Sequence, residues 1–363
     1  MRTPKQVFYR IVVLAVAVRG AFHLIGSISV ARSGGGRHGL AFWSNWDANN
    51  LLRVAEVGYP RTGDDSFFIV YLPGYPFAVR AVAYVFQNLI LSGLIVSFVA
   101  SVGAAWFLYK LVRVERDHDE AWRSVLWLFA FPTAYFLTLP YSESLYLFGS
   151  VAALYAARTN RWARAAAGGI LATVTRLQAL PLVPALAIEA LRRKETRARI
   201  SALAWSALAG SGIAIYLAIN WIARGDPFEF LEVQADHWAN RGAWPWVPLI
   251  DAWRAVAGGG LEGDFVLIYW GRLVATLLAV TLLVTGRRRL SPAESVFGWT
   301  ALVLILSSSW LISMPRYLIG IFPLFIVLAH HTMSNRVLWP LLSVSAAMQS
   351  YYFWHWAAGH WTF

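Results

Sequence analysis

Two carboxylates and two guanidiniums, far apart in the chain, are the groups with which this sequence could do chemistry. They are Asp47 in Asn-Trp-Asp, Glu143 in Tyr-Ser-Glu-Ser, Arg176 in Thr-Arg-Leu-Gln and Arg316 in Pro-Arg-Tyr. A guanidinium presents planar paired donors that match phosphate oxygens. A carboxylate can take the proton of an attacking hydroxyl, worth roughly 10²–10⁴-fold in rate. Together they suit transfer of a sugar from a lipid phosphate to a hydroxyl acceptor. The departing lipid phosphate needs positive charge more than a general acid, so paired arginines can replace a metal. One carboxylate, Asp47, then suffices as base, and Glu143 can orient a sugar or an arginine. Each group also has a plainer reading. Asp47 could simply N-cap the helix that follows it; Glu143, between Ser142 and Ser144, suits a helix N-terminus, where negative charge complements the dipole. Arg176 and Arg316 could be structural partners of buried carboxylates.

The elements that must position these groups are membrane helices. The chain has 363 residues, 58% of them hydrophobic and only 14% charged, with a mean hydropathy of +0.53, which is too apolar for a soluble domain of this size. Apolar stretches of about 20 residues recur with helical rather than alternating periodicity. The fold expected is an all-α polytopic bundle, a single domain over residues 1–363 with about ten or eleven membrane segments. The net charge of +12 sits in short loops beside apolar runs, where the positive-inside rule and anionic lipid account for it, so no nucleic-acid partner is implied. There is no cysteine, hence no disulfide or thiolate chemistry. Lys5, Lys110 and Lys194 are the only lysines among 31 cationic residues, a bias that accompanies GC-rich genomes and points to a prokaryotic cytoplasmic membrane.

Arg2, Lys5 and Arg10 precede an uncleaved first span over 11–30, with Arg19 near its middle pointing into the bundle. A first outer loop, about 31–88, follows an Arg/Gly stretch and contains a short amphipathic helix after Asp47, then a Pro- and Gly-interrupted apolar segment over 67–86. Spans are expected over 89–112, 124–139 and 145–157, with 113–123 a solvated loop between the first two. Residues 165–190 can be one tilted span or two half-helices meeting at Arg176–Pro181. Arginine clusters on both flanks favour a hairpin that starts and ends inside, and such broken helices are tolerated where they line a cavity. Parity then takes 201–223 outward to a large outer loop, about 224–263, followed by spans at 265–285, 296–312, 317–329 and 337–352. On this topology Asp47, Glu143, Arg176 and Arg316 converge on one outward-facing cavity. Trp46, Tyr141, Gln178, Gln234 and Tyr317 lie beside them in sequence or on the same side, as substrate-binding or orienting candidates.

Glu229, Glu232, Asp236 and His237 have near-helical spacing and could hold a divalent cation, but read more simply as a solvated helical face. No cofactor and no metal is expected. There is no HExxH, P-loop, Rossmann glycine motif or GxSxG elbow. The C-terminal SYYFWHWAAGHWTF reads as an aromatic interfacial belt. A transporter or flippase for a lipid-linked or anionic solute is the alternative function, since broken helices and intramembrane arginines also suit transport.

FWSNWDANNLLRVAEVGYP, FFIVYLPGYPFAVR, FPTAYFLTLPYSESLYLF, TRLQALPLVPAL, GDPFEFLEVQADHW and SMPRYLIGIFPLFIVLA, in that order, resemble the GPI mannosyltransferase II (PIG-V) family and its prokaryotic homologues within the GT-C glycosyltransferases. The likeness runs from about residue 42 to 330. It implies a multi-pass enzyme that transfers mannose from a polyprenyl- or dolichyl-phosphate donor with inversion, to a glycan, glycolipid or protein acceptor. It also implies an essential Asp in the first outer loop, which matches Asp47; Arg176 and Arg316 match family arginines. The chain departs in having Ile69-Val70-Tyr71 where Phe-Pro-Leu-Tyr is usual.

Overall fold

A computed structural model describes residues 3–34 and 39–363. Among these the regular structure is helical, with seventeen α-helices and a single antiparallel bridge between Gly242 and Ser308. The first helix, α1 (Pro4–Arg32), starts in a capping box in which Thr3 and Gln6 satisfy each other's backbone amides. The segment between the first helix and the next long one holds α2 (Asp47–Val57), a 3-10 turn over Asp64–Val70, and α3 (Gly74–Phe86). Then come α4 (Leu89–Arg113), α5 (His118–Ala130), α6 (Glu143–Arg158), α7 (Trp162–Thr175) and α8 (Leu182–Leu191). The pair α9 (Thr196–Leu208) and α10 (Gly212–Arg224) leads to α11 (Glu229–Trp238) and α12 (Val247–Gly258) in the large loop over 224–263. The chain closes with α13 (Asp264–Thr285), α14 (Pro292–Leu306), the single turn α15 (Met314–Tyr317), α16 (Pro323–His331) and α17 (Asn335–Ala357).

The bundle is organised around α6, which is buried on nearly every side, including its first residue Glu143. A helix with no polar face belongs in the middle of a bundle, and α4, α7 and α8 pack around it. Its two ends are both ionic. Near its C-terminus Arg158 Nε donates to Glu189 Oε1 at 2.8 Å, so α8 ends beside the point where α7 begins. The half-helix hairpin at Arg176–Pro181 is therefore realised: α7 and α8 leave and return to the same end of α6.

Four stretches are long and apolar enough to cross a membrane: α1, α4, residues 196–224 and residues 264–288; six qualify if the bent pairs 64–86 and 314–331 each count as one. The chain is a multi-pass integral membrane protein. The other expected spans fall on α5, α6, α7, α8, α14, α16 and α17. The first six of these have 9 to 16 residues, about 14–24 Å against a hydrocarbon core of about 30 Å. Several expectations are corrected. The expected span over 201–223 begins at Thr196 and is broken at Ala209–Ser211. The stretch after Arg113 is not simply a solvated loop: Asp117 caps α5 by accepting from the Glu120 amide at 2.8 Å, and Glu120 is buried beside Arg116. Arg19 does point inward, but onto neutral partners, Ser101 Oγ at 2.9 Å and the Leu137 carbonyl at 3.0 Å. The aromatic C-terminus is only partly a belt. Phe353 and Trp356 are buried and stack on each other, and Phe353 packs at a tilt against Trp43, so this end of the chain braces the loop before α2. Arg2 and, within the Arg/Gly stretch, Gly35, Gly36, Arg37 and His38 lie outside the described residues.

Candidate active site

The N-terminus of α6 gathers the four expected groups. Glu143 Oε1 pairs with Arg176 Nη1 at 2.8 Å and with Arg316 Nε. Arg316 Nη1 donates to Asp47 Oδ2 at 2.9 Å. One turn along the same face of α6, the Tyr146 hydroxyl donates to the backbone carbonyls of Gln178 (3.1 Å) and Gly320 (3.2 Å). Glu143 thus holds the two guanidiniums while Tyr146 holds the two segments that carry them. Arg176 stands at the break between α7 and the following 3-10 turn, in extended backbone; its Nη1 also donates to Ser142 Oγ at 2.8 Å and its Nε to Gln178 Oε1 at 3.3 Å. Arg316 lies in α15 with its guanidinium carbon 4.5 Å from the Tyr141 ring centroid and 4.8 Å from that of Phe136, a cation–π setting that suits a desolvated arginine.

Asp47 is placed by a sharp turn. Trp46, not Asp47, is the N-cap of α2, and its φ of 54° with ψ of −129° is a conformation that a bulky residue adopts at a cost of about 1–3 kcal/mol. Asp47 is the first helical residue, where the dipole favours its negative charge. The turn is held from both sides: Asn45 Nδ2 donates to the Trp356 carbonyl at 2.9 Å, and the Tyr141 hydroxyl donates to the Asn45 carbonyl at 3.2 Å. Asp47 Oδ1 accepts from the Tyr71 hydroxyl at 3.2 Å, which in turn accepts from Asn50 Nδ2 at 2.7 Å. The Tyr71 strand of the loop approaches α7 closely, since a Cβ on Gly74 would lie 2.5 Å from Thr175 Oγ1.

These groups open onto a cavity of about 360 Å³. Asp47, Arg176, Gln178, Gln234, Arg316 and Tyr317 line it. Trp46, Tyr141 and Glu143 do not: Trp46 is exposed beside the entrance turn, and Tyr141 and Glu143 are buried behind Arg316. The two carboxylates therefore differ in reach. The Asp47 side chain is 39% exposed and that of Glu143 4%, so of the two only Asp47 reaches the cavity. Glu143 Oε2 is buried without a hydrogen bond, and among the described residues Nη2 of Arg176 and of Arg316 makes none, leaving each arginine a donor to spare.

The far wall comes from the large loop over 224–263. Residues 241–243 pair with 307–309 through Ala243 N to the Ser307 carbonyl and Ser309 N to the Arg241 carbonyl, both 2.9 Å. Asn240 then receives Ser308 Oγ at 2.7 Å and donates to Gln234 Oε1 at 2.8 Å, and Trp238 and Trp310 face the same cavity. Sequence reasoning missed Tyr71, Asn45, Ser142, Tyr146, Asn240 and both tryptophans as site residues. Tyr71 and Ser142 lay inside motifs already singled out; the pairing of 241–243 with 307–309 left no local signal. Glu229, Glu232, Asp236 and His237 do not assemble a metal-binding group among the described residues; His237 stacks on Phe67 with ring centroids 4.4 Å apart.

No curated protein matches the chain. A solved oligosaccharyltransferase of Archaeoglobus fulgidus, tethered to an acceptor peptide containing the NVT sequon, aligns with a TM-score of 0.47 at 9% identity, over 96% of this chain and 55% of that one. The family described as mannosyltransferase (PIG-V) matches residues 36–191, the region that supplies Asp47, Tyr71, Glu143 and Arg176. That match covers less than half of the chain, and over those residues the chain is similar to that family.

Proposed function

We propose that the protein transfers a hexose, mannose by its similarity to the mannosyltransferase family over residues 36–191, from a polyprenyl-phosphate donor to a hydroxyl of a glycan, glycolipid or protein acceptor. The observation that carries this reading is that Asp47 and the guanidiniums of Arg176 and Arg316 line one cavity. The donor phosphate would lie against the spare Nη2 groups of the two arginines, whose side chains Glu143 holds in place. The acceptor oxygen attacks the anomeric carbon from the face opposite the phosphate and gives its proton to Asp47. The bond from the anomeric carbon to the phosphate oxygen breaks, with its electrons leaving on the lipid phosphate, so configuration inverts. Arginines aimed at that developing charge act as a fixed electrostatic complement. No metal is invoked in these steps. The side of the membrane follows from charge: Arg158, Arg161, Arg164 and the Arg287–Arg289 triplet belong to the end of the bundle away from Asp47, and the positive-inside rule assigns that end to the cytoplasm. The cavity would then face outward.

The test is incubation of the purified protein with a panel of polyprenyl-phosphate sugars and hydroxyl acceptors, beside Asp47→Asn. Donor should be consumed with transfer by the wild type, and the variant should insert and melt normally but lose roughly 10²–10⁴-fold in rate. Undiminished turnover by Asp47→Asn rejects the role of this carboxylate, and solute counterflow in proteoliposomes without any transfer rejects the enzyme reading.

A further inference from the structure

At the end of α6 away from Asp47, α4 and α7 both pack on α6 and enclose a groove of about 330 Å³. Its floor is one face of α6, with Phe148, Ala152, Tyr155 and Ala156 at helical spacing. Along the α7 side the wall is nearly bare: a Cβ on Gly149 would lie 2.7 Å from the Gly168 carbonyl oxygen, so backbone meets backbone there and Ala167 and Leu171 continue the apolar surface. The mouth is basic. Lys110 from α4, Arg161 just before α7 and Arg164 in its first turn all line this groove, and no carboxylate does. Nearby Arg116 and Arg158 are consumed by Glu120, Glu189 and Glu294, whereas Lys110, Arg161 and Arg164 form no ion pair among the described residues. Lys110 Nζ sits 4.6 Å from the Tyr155 ring centroid, which directs it over the groove.

Three uncompensated cations at the mouth of an apolar trough ask for a ligand with both parts. A soluble phosphate would leave the trough unused and a neutral lipid would leave the cations unused. From Arg164 to Leu171 the trough runs about 10 Å along α7, room for a stretch of hydrocarbon chain below a headgroup. Basic pockets between membrane helices favour anionic headgroups on these grounds. We propose that the groove holds an anionic phospholipid of the adjacent leaflet, its phosphate among Lys110, Arg161 and Arg164 and one acyl chain along the α6–α7 seam. This site is separate from the sugar-transfer cavity and does not depend on the reading of that cavity.

Native mass spectrometry of the full chain, released from micelles holding equal phosphatidylglycerol and phosphatidylcholine, tests this. The wild type should retain phosphatidylglycerol selectively. The triple variant Lys110→Gln, Arg161→Gln, Arg164→Gln should bind it about a hundredfold more weakly. A charge-matched control, Lys194→Gln, Arg287→Gln, Arg288→Gln, removes three exposed cations elsewhere and should retain the lipid. Filling the trough with Ala152→Leu and Ala167→Leu, which leaves every charge in place, should also release it, and thermal unfolding of each variant separates lipid loss from misfolding. Equal retention of both lipids by the wild type, equal loss in the charge control, or full displacement by millimolar glycerol phosphate would each overturn the proposal.

Discussion

Two buried glutamates, at opposite ends of the bundle, each bridge two arginines, yet only one of these arrangements opens onto the cavity lined by Asp47. Glu294 lies at the third position of α14, where its Oε2 accepts from the Ser291 amide at 2.8 Å and pairs with Arg116 at 3.1 Å. Arg158 approaches its other oxygen at 3.9 Å and is itself held by Glu189 and by Ser291 Oγ. Arg158, Glu189 and Glu294 are at most 6% exposed in their side chains, and their partners are the ends of helices. This cluster ties α4, α5, α6, α8 and α14 together at one end. Glu143 is as buried, but its arginines reach past it to a cavity and to a half-exposed Asp47. Residue types and pairing are the same in both places; access for a ligand is what differs, and access comes from the broken helices at Arg176 and Arg316 that leave an opening no continuous helix would.

This division can be broken by substitution. The largest effect is expected at the closed end: Glu294→Ala removes the buried carboxylate that Arg116 and Arg158 share, leaving them Glu120 and Glu189, and should destabilise the fold by about 3 kcal/mol, read as a lower melting temperature. The transfer rate per folded molecule should hold, and a normal melt with lost transfer would erase the contrast. At the open end the order reverses. Arg176→Lys keeps the charge but loses the fork that reaches Ser142, Gln178 and a phosphate at once, so the transfer rate should fall by an amount equivalent to about 1.5–3 kcal/mol while melting barely moves. The smallest effect belongs to Tyr71→Phe, which removes one hydrogen bond to Asp47 and should cost about 0.5–1.5 kcal/mol in transfer. Loss on the scale of Asp47→Asn would instead mark Tyr71 as a proton carrier in its own right.

How much could be read before the fold was known differs by element. The break at Arg176–Pro181 was legible because arginine clusters on both sides demanded an even number of crossings, and proline and polar residues marked where the chain must turn. Asp47, Glu143, Arg176 and Arg316 were legible as a set for the same reason: ionisable groups are costly in a membrane interior and collect where a cavity admits water or ligand. The stretch 113–123 was misread because charge density there looked like solvation, whereas Glu120 is buried against Arg116. The C-terminal aromatics were misread in part because a tryptophan at a membrane interface and one packed under a loop have the same composition.

By itself the amino-acid sequence determined that this is a helical membrane protein, which ends of its helices share a side, and which four charged groups are available for chemistry. Hydrophobic length and the bias of arginine are local properties, and they act on each segment without regard to its neighbours. Only the tertiary structure decided that Asp47 rather than Glu143 faces the cavity, that Tyr71 and Asn45 hold it there, and that the large loop closes the far wall against residues 307–309. Those outcomes depend on side chains tens to hundreds of residues apart meeting at hydrogen-bond distance, and nothing in the local pattern of either partner encodes where the other will be.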